Sequence, residues 1–483
     1  PIATICADVP ARGIRMVFSS VTFIYVFLPV VLLLYYAAPK KLKNLLILLS
    51  GIVFYAWGEP VYVVLMMFTT LVDYTAGRLI HKFDEKKRAR LAVMVTAVAI
   101  NLFLLSVFKY SSFVVSNINA LLGTNLIDPQ LPLPIGISFY TFQSMSYTLD
   151  VYMRKVKVQR NFINYAAYVT LFPQIVAGPI VRYQDIANEL DYRTISLTKV
   201  GEGVGIFMRG LAKKVLLANN IGMLWTTIKG TPLDELSVLT AWLGIIAFTF
   251  QIYFDFSGYS DMAIGMGKMM GFNFPQNFNY PYLSKSIGEF WRRWHMTLGS
   301  WFRDYVYIPM GGNRVGTLKL LRNLLVVWFL TGLWHGASWN FILWGLYFGV
   351  LIALERFFLG KYLKKLPGFL QIAYAFLLVV FGWVLFEFDQ LSNVGLYFQA
   401  MFGGNSAGFV DGQTWYLFSS YLIILVICII GATNYPKRLV EKISSRLPVA
   451  VRWASPVFEM GLLFVCTAFL VNSTYNPFLY FRF

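Results

Sequence analysis

The stretch LTGLWHGASWNFILWG, from Leu330 to Gly345, places one histidine among three tryptophans inside a long apolar region. Apolar residues continue on both sides, over the runs 323–334 and 339–358, and the small residues GAS separate the two runs. Such runs are typical of membrane helices, and a break at membrane depth is tolerated only where the backbone is buried in protein or lines a cavity. The stretch therefore predicts a membrane-embedded helical fold with a cavity near His335.

The composition extends this prediction to the whole chain. Of the 483 residues, 58% are hydrophobic and 13% are charged, whereas soluble domains carry about 25% charged residues. Apolar runs recur along the whole length, and some are too short to span a bilayer. We therefore expect an all-α polytopic membrane protein with about ten to twelve transmembrane helices plus re-entrant segments.

The first fifteen residues, PIATICADVPARGIR, differ from the rest of the chain. They have the pattern of neither a secretory signal nor a membrane span. The sequence that follows, MVFSSVTFIYVFLPVVLLLYY, has the character of a natural start. We expect residues 1–15 to be upstream or added sequence and residues 16–483 to form a single membrane-embedded domain.

Basic residues predict the orientation of the chain in the membrane. The net charge of +18 would favour nucleic-acid binding in a soluble protein, but in a membrane protein it reflects short loops that stay cytoplasmic. The loops 111–132 and 389–412 contain no lysine or arginine and are predicted to lie outside. The C-terminal tail is then also predicted outside, and no nucleic-acid partner is expected. The basic segments are 40–43, 81–90, 154–160, 361–365 and 436–446.

Three histidines occur in the chain, and two of them are candidates for chemistry. His81 lies in a basic loop, where a solvated side chain is expected. His335 follows Arg322 by thirteen residues, which places it about 20 Å from the basic boundary and near or past the midplane. Burial favours the neutral imidazole, which can accept a proton from a hydroxyl group. The alternative is a neutral histidine that only bonds between helices.

A segment around the other candidate, His295, is dense in tryptophan and arginine. One interpretation is a helix lying in the cytoplasmic interface, with its aromatic side chains at headgroup level. The other adds an anionic ligand, such as the phosphates of a nucleotide-type carrier, held by the arginines. The cluster comprises Trp291, Arg292, Arg293, Trp294, Trp301 and Arg303.

Two acidic residues lie in an apolar segment nearby. Asp255 and Asp261 are expected to form structural ion pairs with arginines or to line a wet passage. The three cysteines fit neither a zinc-binding spacing nor a disulfide framework. No metal site is therefore predicted.

Three motifs resemble the membrane-bound O-acyltransferases, and in particular their bacterial branch that acetylates alginate, peptidoglycan and cellulose. They are FDFSGYSDMAIG (254–265), FWRRWHMTLGSWFRDYVYIPMGG (290–312) and TGLWHGASWNFILWG (331–345). The likeness extends over almost everything from Met16 onward. It implies a ring of helices around a thinned centre, with a central tunnel in which a donor's acyl group meets an acceptor. It implies no permanently bound cofactor, and acetyl-CoA or a similar thioester as the donor substrate.

The resemblance also implies roles for particular residues. His335 matches the family's catalytic histidine, and His295 matches its second histidine on the cytoplasmic side of the tunnel. The tail FLYFRF fits a Phe-x-Tyr-x-x-Phe pattern that ends a small partner protein in teichoic-acid D-alanylation, which implies Tyr480 as an acyl carrier. The alternative is an aromatic tail anchored at the interface. Expected substrate-binding residues are Trp291, Arg292, Arg293, Trp294, Arg303, Asp304, Trp334 and Asn340.

The expected function is acetyl transfer across the bacterial cytoplasmic membrane onto a cell-surface polysaccharide. The resemblance implies an extracytoplasmic partner of the SGNH type, a transferase with a serine-hydrolase fold. Three alternatives remain at this stage. They are a transporter or exporter component of an exopolysaccharide system, acyl transfer to a protein or lipid, and a scaffold whose histidines only pack helices.

Overall fold

A computed structural model describes residues 16–176, 178–405, 407–472 and 475–479 of the chain. The expectations for residues 1–15 and for Tyr480 fall outside the described residues. Within the described ranges the secondary structure is helical and contains no strand, which confirms the all-α fold.

The helices are numbered in chain order. The first ten are α1 Leu28–Ala37, α2 Lys43–Gly58, α3 Val63–Lys82, α4 Lys87–Leu122, α5 Ile137–Tyr152, α6 Phe162–Val169, α7 Phe172–Ile175, α8 Tyr183–Asp191, α9 Leu197–Ala212 and α10 Asn219–Lys229. The others are α11 Val238–Met269, α12 Ile287–Arg293, α13 Met296–Phe302, α14 Thr317–His335, α15 Trp339–Leu354, α16 Gly360–Leu363, α17 Gly368–Glu387, α18 Leu391–Met401, α19 Gly412–Gly431, α20 Tyr435–Arg446 and α21 Pro448–Asn472.

Nine helices in the described ranges are long and apolar enough to cross a membrane. This is fewer than the roughly ten to twelve spans expected from the apolar runs. The difference includes the runs 135–152 and 162–180, whose residues form α5, α6 and α7. These helices are short and buried along most of their length. The apolar side chains of these three helices therefore pack mostly against other parts of the protein instead of against lipid.

Helix α11 lies at the centre of the fold and is buried over most of its 32 residues. Helix α9 packs along it in backbone contact at two pairs of glycines. A Cβ atom on Gly258 would lie 2.7 Å from the carbonyl oxygen of Gly210, and one on Gly265 would lie 2.6 Å from that of Gly203. Larger residues would force the two helices apart, so these glycines determine how closely α9 approaches the centre.

The two ends of α11 separate the basic and neutral loops. At its start, the Val238 amide donates to the carbonyl of Gly408, in a loop without lysine or arginine. Beyond its other end, the Tyr35 hydroxyl donates to the carbonyl of Met270 over 2.7 Å, close to the basic segment 40–43. This neutral loop and this basic segment thus lie at opposite ends of one long helix, and the orientation of the chain in the membrane stays a prediction.

Asp255 and Asp261 both form ion pairs, but with lysines instead of the expected arginines. Asp255 pairs with Lys214 over 2.7 Å, and Asp261 pairs with Lys213 over 2.6 Å. The two lysines lie in the π-helical turn between α9 and α10. Because α9 packs against α11, the lysines face α11, and this proximity decides the choice of partner.

The described part of the C-terminal tail, residues 475–479, packs against the helical body. Phe478 and Leu479 are buried, and the Phe478 ring stacks on Tyr259 of α11 with 4.3 Å between ring centroids. Phe478 therefore packs against protein, and the two interpretations of the tail at Tyr480 stay predictions.

Candidate active site

His335 is the last residue of α14, and the chain turns directly into α15. The turn is tight because small residues occupy it. In the turn, a Cβ atom on Gly336 would lie 2.2 Å from the Phe341 ring. Within α15, a Cβ atom on Gly345 would lie 2.3 Å from the Trp328 carbonyl oxygen of α14, so this glycine keeps the two helices in close contact. The break predicted from GAS is present, and it places the His335 side chain at a helix end inside the protein, 3% exposed.

Two neighbouring side chains of α4 cap the C-terminal carbonyls of α14. The Lys109 ammonium donates to the carbonyls of Trp334 and His335, the latter over 3.3 Å. The Tyr110 hydroxyl donates to the carbonyl of Leu333 over 2.6 Å. A cation at a helix C-terminus is stabilised by the partial negative charge of the unpaired carbonyls. The backbone that carries His335 is therefore held in place from α4.

Lys109 was missed by the sequence analysis, although a signal was present. It is a lone lysine inside a long apolar run, and ionisable residues in such runs are functional candidates by default. Its side chain is buried. Besides the carbonyls of α14, it donates to the Ser138 hydroxyl of α5 over 3.1 Å.

Lys109→Met is expected to lower acyl transfer by about 10–100-fold, because loss of the cap lets the His335 backbone move and small displacements at a reacting centre are costly. The measurement is turnover of the purified protein, with folding followed by size-exclusion chromatography. Lys109→Arg keeps a cation at the helix end and should recover part of the rate. Lys87→Met, at the exposed start of the same helix, is the matched control. Unchanged turnover in Lys109→Met would contradict the assigned role.

The second histidine, His295, lies between α12 and α13 in a left-handed backbone conformation with φ of +43°. Its Nδ1 atom is 3.1 Å from the Oδ1 atom of Asn277. The backbone N–H of Thr297 donates to the same Oδ1 atom, which shows that this amide atom is the oxygen. Nδ1 of His295 must therefore donate, so Nε2 is the basic nitrogen of the neutral ring.

The structure brings both candidate histidines to one indole ring. The ring centroid of Trp334 lies 5.0 Å from that of His335 and 5.9 Å from that of His295. Both imidazoles are buried, at 3% and 2% exposure. Two residues that are 40 positions apart in the sequence thus share one aromatic wall. The structure thus brings together three of the predicted site residues, His295, Trp334 and His335, and their roles in the reaction stay predictions.

The three tryptophans of the predicted ligand cluster pack against aromatic side chains, and Trp301 stacks on Phe142 with 3.9 Å between ring centroids. The Trp291 ring lies 5.4 Å from Trp344, whose ring in turn lies 4.9 Å from His335. Trp294 packs on Trp383 at 4.9 Å and is nearly fully buried. A continuous aromatic path therefore connects α12 to His335.

The two arginines of α12 lie on the outer side of this aromatic path. Arg292 is exposed, and Arg293 forms an ion pair with Glu289 over 2.6 Å. The start of α12 is held by Glu355, which accepts from the backbone amides of Ile287 and Gly288. Helix α12 thus presents tryptophan inward and arginine outward.

Asp304 joins two arginines at the end of α13. It pairs with Arg182 over 2.6 Å and with Arg303 over 2.7 Å. Partial burial alone would raise the pKa of this carboxyl, but hydrogen bonds and charge from Arg303 and Arg182 hold the pKa below its ordinary value. Asp304 therefore neutralises and orients these guanidinium groups, while Arg303 remains exposed.

Asn340 is buried at the start of α15. Its amide donates toward the carbonyls of Leu385 and Phe386, over 3.2 and 3.4 Å, at the end of α17. The Phe386 ring lies 5.4 Å from the His335 ring. Asn340 thus bonds to the segment of α17 that contacts the His335 ring. Its role in binding substrate stays a prediction.

Comparison with known protein families identifies the family to which the chain belongs. Residues 47–398 match the model of the MBOAT, membrane-bound O-acyltransferase, family. The chain belongs to this family, and it is a membrane-embedded acyltransferase.

Several relatives are similar over most of their length. The chain is 38% identical to the probable alginate O-acetylase AlgI of Azotobacter vinelandii, over 97% of this chain and 100% of that protein. It is 31% identical to the peptidoglycan O-acetyltransferase of Helicobacter pylori, over 96% and 90% of the two chains. A teichoic acid D-alanyltransferase of Bacillus subtilis is 29% identical, over 52% of this chain and 68% of that protein. The family expected from the three sequence motifs is thereby confirmed.

Proposed function

We propose that the protein moves an acetyl group from a cytoplasmic thioester, acetyl-CoA, across the membrane for O-acetylation of an extracytoplasmic polysaccharide. The observation that carries the proposal is the pair of buried histidines at the Trp334 ring, within the part of the chain that matches the acyltransferase family. Relatives named for alginate and peptidoglycan O-acetylation support acetyl as the group and a polysaccharide as the final acceptor.

In the proposed reaction, His335 acts as the general base. An acceptor hydroxyl attacks the carbonyl carbon of the thioester, and His335 takes the proton of that hydroxyl. The new C–O bond forms as the C–S bond breaks, and the proton is returned to the departing sulfur. The products are an acetyl ester and free coenzyme A. A buried imidazole suits this step because it stays neutral and can accept a proton at neutral pH.

The exposed arginines provide the proposed docking site for the donor. Arg292 and Arg303 are both exposed, and Arg292 adjoins Trp291, where the aromatic path through Trp344 to His335 begins. Guanidinium groups bind phosphates in bidentate fashion, and coenzyme A carries several phosphates. The donor would bind with its phosphates at the arginines and its acyl group toward the histidine.

The proposed first acceptor is the phenolic hydroxyl of Tyr480. Its acetyl ester would be passed to an SGNH-type partner and then to a sugar hydroxyl in the cell envelope. This relay divides transmembrane delivery into two transfers on opposite sides of the bilayer. The described tail supports the relay, since Leu479 is buried within the helical body.

Labelled donor tests the proposal. Purified protein is incubated with acetyl-CoA labelled in the acetyl group, and label on the protein is located by intact mass and peptide mapping. The expected result is an alkali-labile acetyl group on the C-terminal peptide of the wild type, absent in His335→Ala and in Tyr480→Phe. Tyr416→Phe, at an exposed tyrosine, is the control and should label fully.

Other outcomes separate the parts of the proposal. Label that survives Tyr480→Phe would move the carrier to another residue and keep the acyltransfer from acetyl-CoA. An absence of both label and thioester cleavage in folded wild-type protein would refute acetyl-CoA as the donor.

A further inference from the structure

We propose that the buried Lys214–Asp255 ion pair is the binding site for the C-terminal tail, and that it positions the residues after Leu479 for acyl transfer. The second part of this inference rests on the proposed function, since it gives the tail a role in the reaction. The first part concerns binding alone and is testable without any donor.

The two charges of the pair meet two backbone groups of the tail. Oδ1 of Asp255 lies 2.7 Å from the Lys214 ammonium, and Oδ2 accepts the backbone N–H of Leu479 over 2.9 Å. The Lys214 ammonium also donates to the backbone carbonyl of Pro477. The carboxylate faces a donor and the ammonium faces an acceptor, so the signs match at both ends. The pair therefore binds the backbone of the tail at two points, the Pro477 carbonyl and the Leu479 N–H, and these two contacts fix which tail residues lie beside the pair.

Further contacts hold the tail on both sides of this site. The Asn476 amide donates to the carbonyl of Ser19 over 2.9 Å and accepts from the Asn219 amide over 3.2 Å. The Tyr475 hydroxyl lies 3.0 Å from that of Thr226. With the stacking of Phe478 on Tyr259, each residue of the described tail makes a specific contact with the helical body.

The neighbouring pair, Lys213–Asp261, provides an internal comparison. Its ion-pair distance is similar, at 2.6 Å, but both side chains are 30% exposed, against 2% for Lys214 and Asp255. Its described contacts do not include the tail. Burying an ion pair carries a desolvation cost that often exceeds the attraction between the charges. Beyond their mutual contact, Asp255 and Lys214 bond to tail backbone, and the Lys214 ammonium also donates to Oδ1 of Asn219 over 2.8 Å. The Asn219 amide in turn donates to Asn476 of the tail, which favours tail binding as the role of the buried pair.

The test uses the full-length protein and a cysteine at the end of the described tail. Leu479→Cys is introduced into a background in which the three native cysteines are replaced by serine. The rate of labelling with a soluble maleimide then reports release of the tail. Asp255→Asn is expected to raise this rate about ten-fold or more, because a charge-assisted hydrogen bond and an ion pair are lost. Asp261→Asn is the matched control and should leave the rate unchanged.

A charge exchange separates tail binding from simple packing. Lys214→Asp combined with Asp255→Lys restores an ion pair but presents an ammonium to the Leu479 N–H and a carboxylate to the Pro477 carbonyl. The tail should therefore be released in this double variant, even where the protein folds normally by size-exclusion chromatography. If either buried variant fails to fold, Asn476→Ala loosens the tail while leaving the ion pair intact, and it should raise the labelling rate as well.

The outcomes distinguish this proposal from the proposed function. Rapid labelling together with a loss of acetyl on the C-terminal peptide supports both parts of the inference. Rapid labelling with undiminished acetyl transfer would leave the ion pair as a tail-binding site and overturn its role in the reaction. Slow labelling in folded Asp255→Asn, or restored protection in the charge exchange, would overturn the binding site itself.

Discussion

Replacing His335 with glutamine is expected to lower acetyl transfer by about 10²- to 10⁴-fold, the range typical for loss of a general base. Glutamine keeps a polar side chain of similar length beside the Trp344 ring, so the packing is largely retained. It cannot take a proton from the attacking hydroxyl at neutral pH. The measurement is the rate of thioester cleavage at saturating acetyl-CoA, where the loss should appear in kcat rather than in KM.

The same substitution at the third histidine is the control. The structure places His81 in the last turn of α3 rather than in the loop expected from the sequence, and its side chain is exposed. His81→Gln should therefore leave both kcat and KM at the wild-type values. If folded His335→Gln kept turnover within two-fold of the wild type, His335 would be a packing residue, as in the scaffold alternative.

Removal of the His295 imidazole should also lower kcat. The effect of a substitution at Asn277 on kcat should depend on whether His295 is present, because Asn277 fixes the tautomer of that imidazole. His295→Gln is expected to lower kcat by about 10²-fold. Asn277→Ala should lower it less, because the imidazole remains but loses the acceptor that fixes its orientation and its basic Nε2 atom. The double variant should be no slower than His295→Gln alone, since Asn277 acts through His295.

A double-mutant cycle in kcat measures this coupling. Fully additive losses would show that Asn277 contributes independently of the histidine and would contradict the assigned hydrogen bond. Asn273→Ala, in the same segment but bonded to Glu189 near the surface, is the matched control and should leave kcat unchanged.

The sequence predicted the membrane class and the candidate histidines because both depend on local properties. An apolar run long enough to cross lipid is recognised from composition, and an ionisable side chain within such a run is conspicuous against it. His335 was placed at depth by counting residues along one helix, and the break after it was apparent from GAS. The structure places His335 at that break, buried at the end of α14.

The partners of these residues could not be predicted in the same way. Lys109 contacts the end of α14 across more than 200 positions of sequence, and Asn277 contacts His295 across 18 positions that include α12. The choice of Lys214 for Asp255 depends on the close approach of α9 and α11 at glycine pairs. No pattern within any one segment encodes these distances.

The sequence by itself determined that the chain crosses a membrane, that its fold is helical, and that a buried His335, a second histidine and an aromatic–arginine segment are the candidates for chemistry. The tertiary structure alone decided that both histidines meet at Trp334, that Trp291 of α12 packs toward Trp344, and that the tail contacts the helical body at Lys214 and Asp255. The physical reason for this division is that the two kinds of property depend on the chain over different distances. Hydropathy acts residue by residue along a helix, whereas hydrogen bonds, ion pairs and ring contacts require atoms within a few ångströms, which only the packing of distant helices provides.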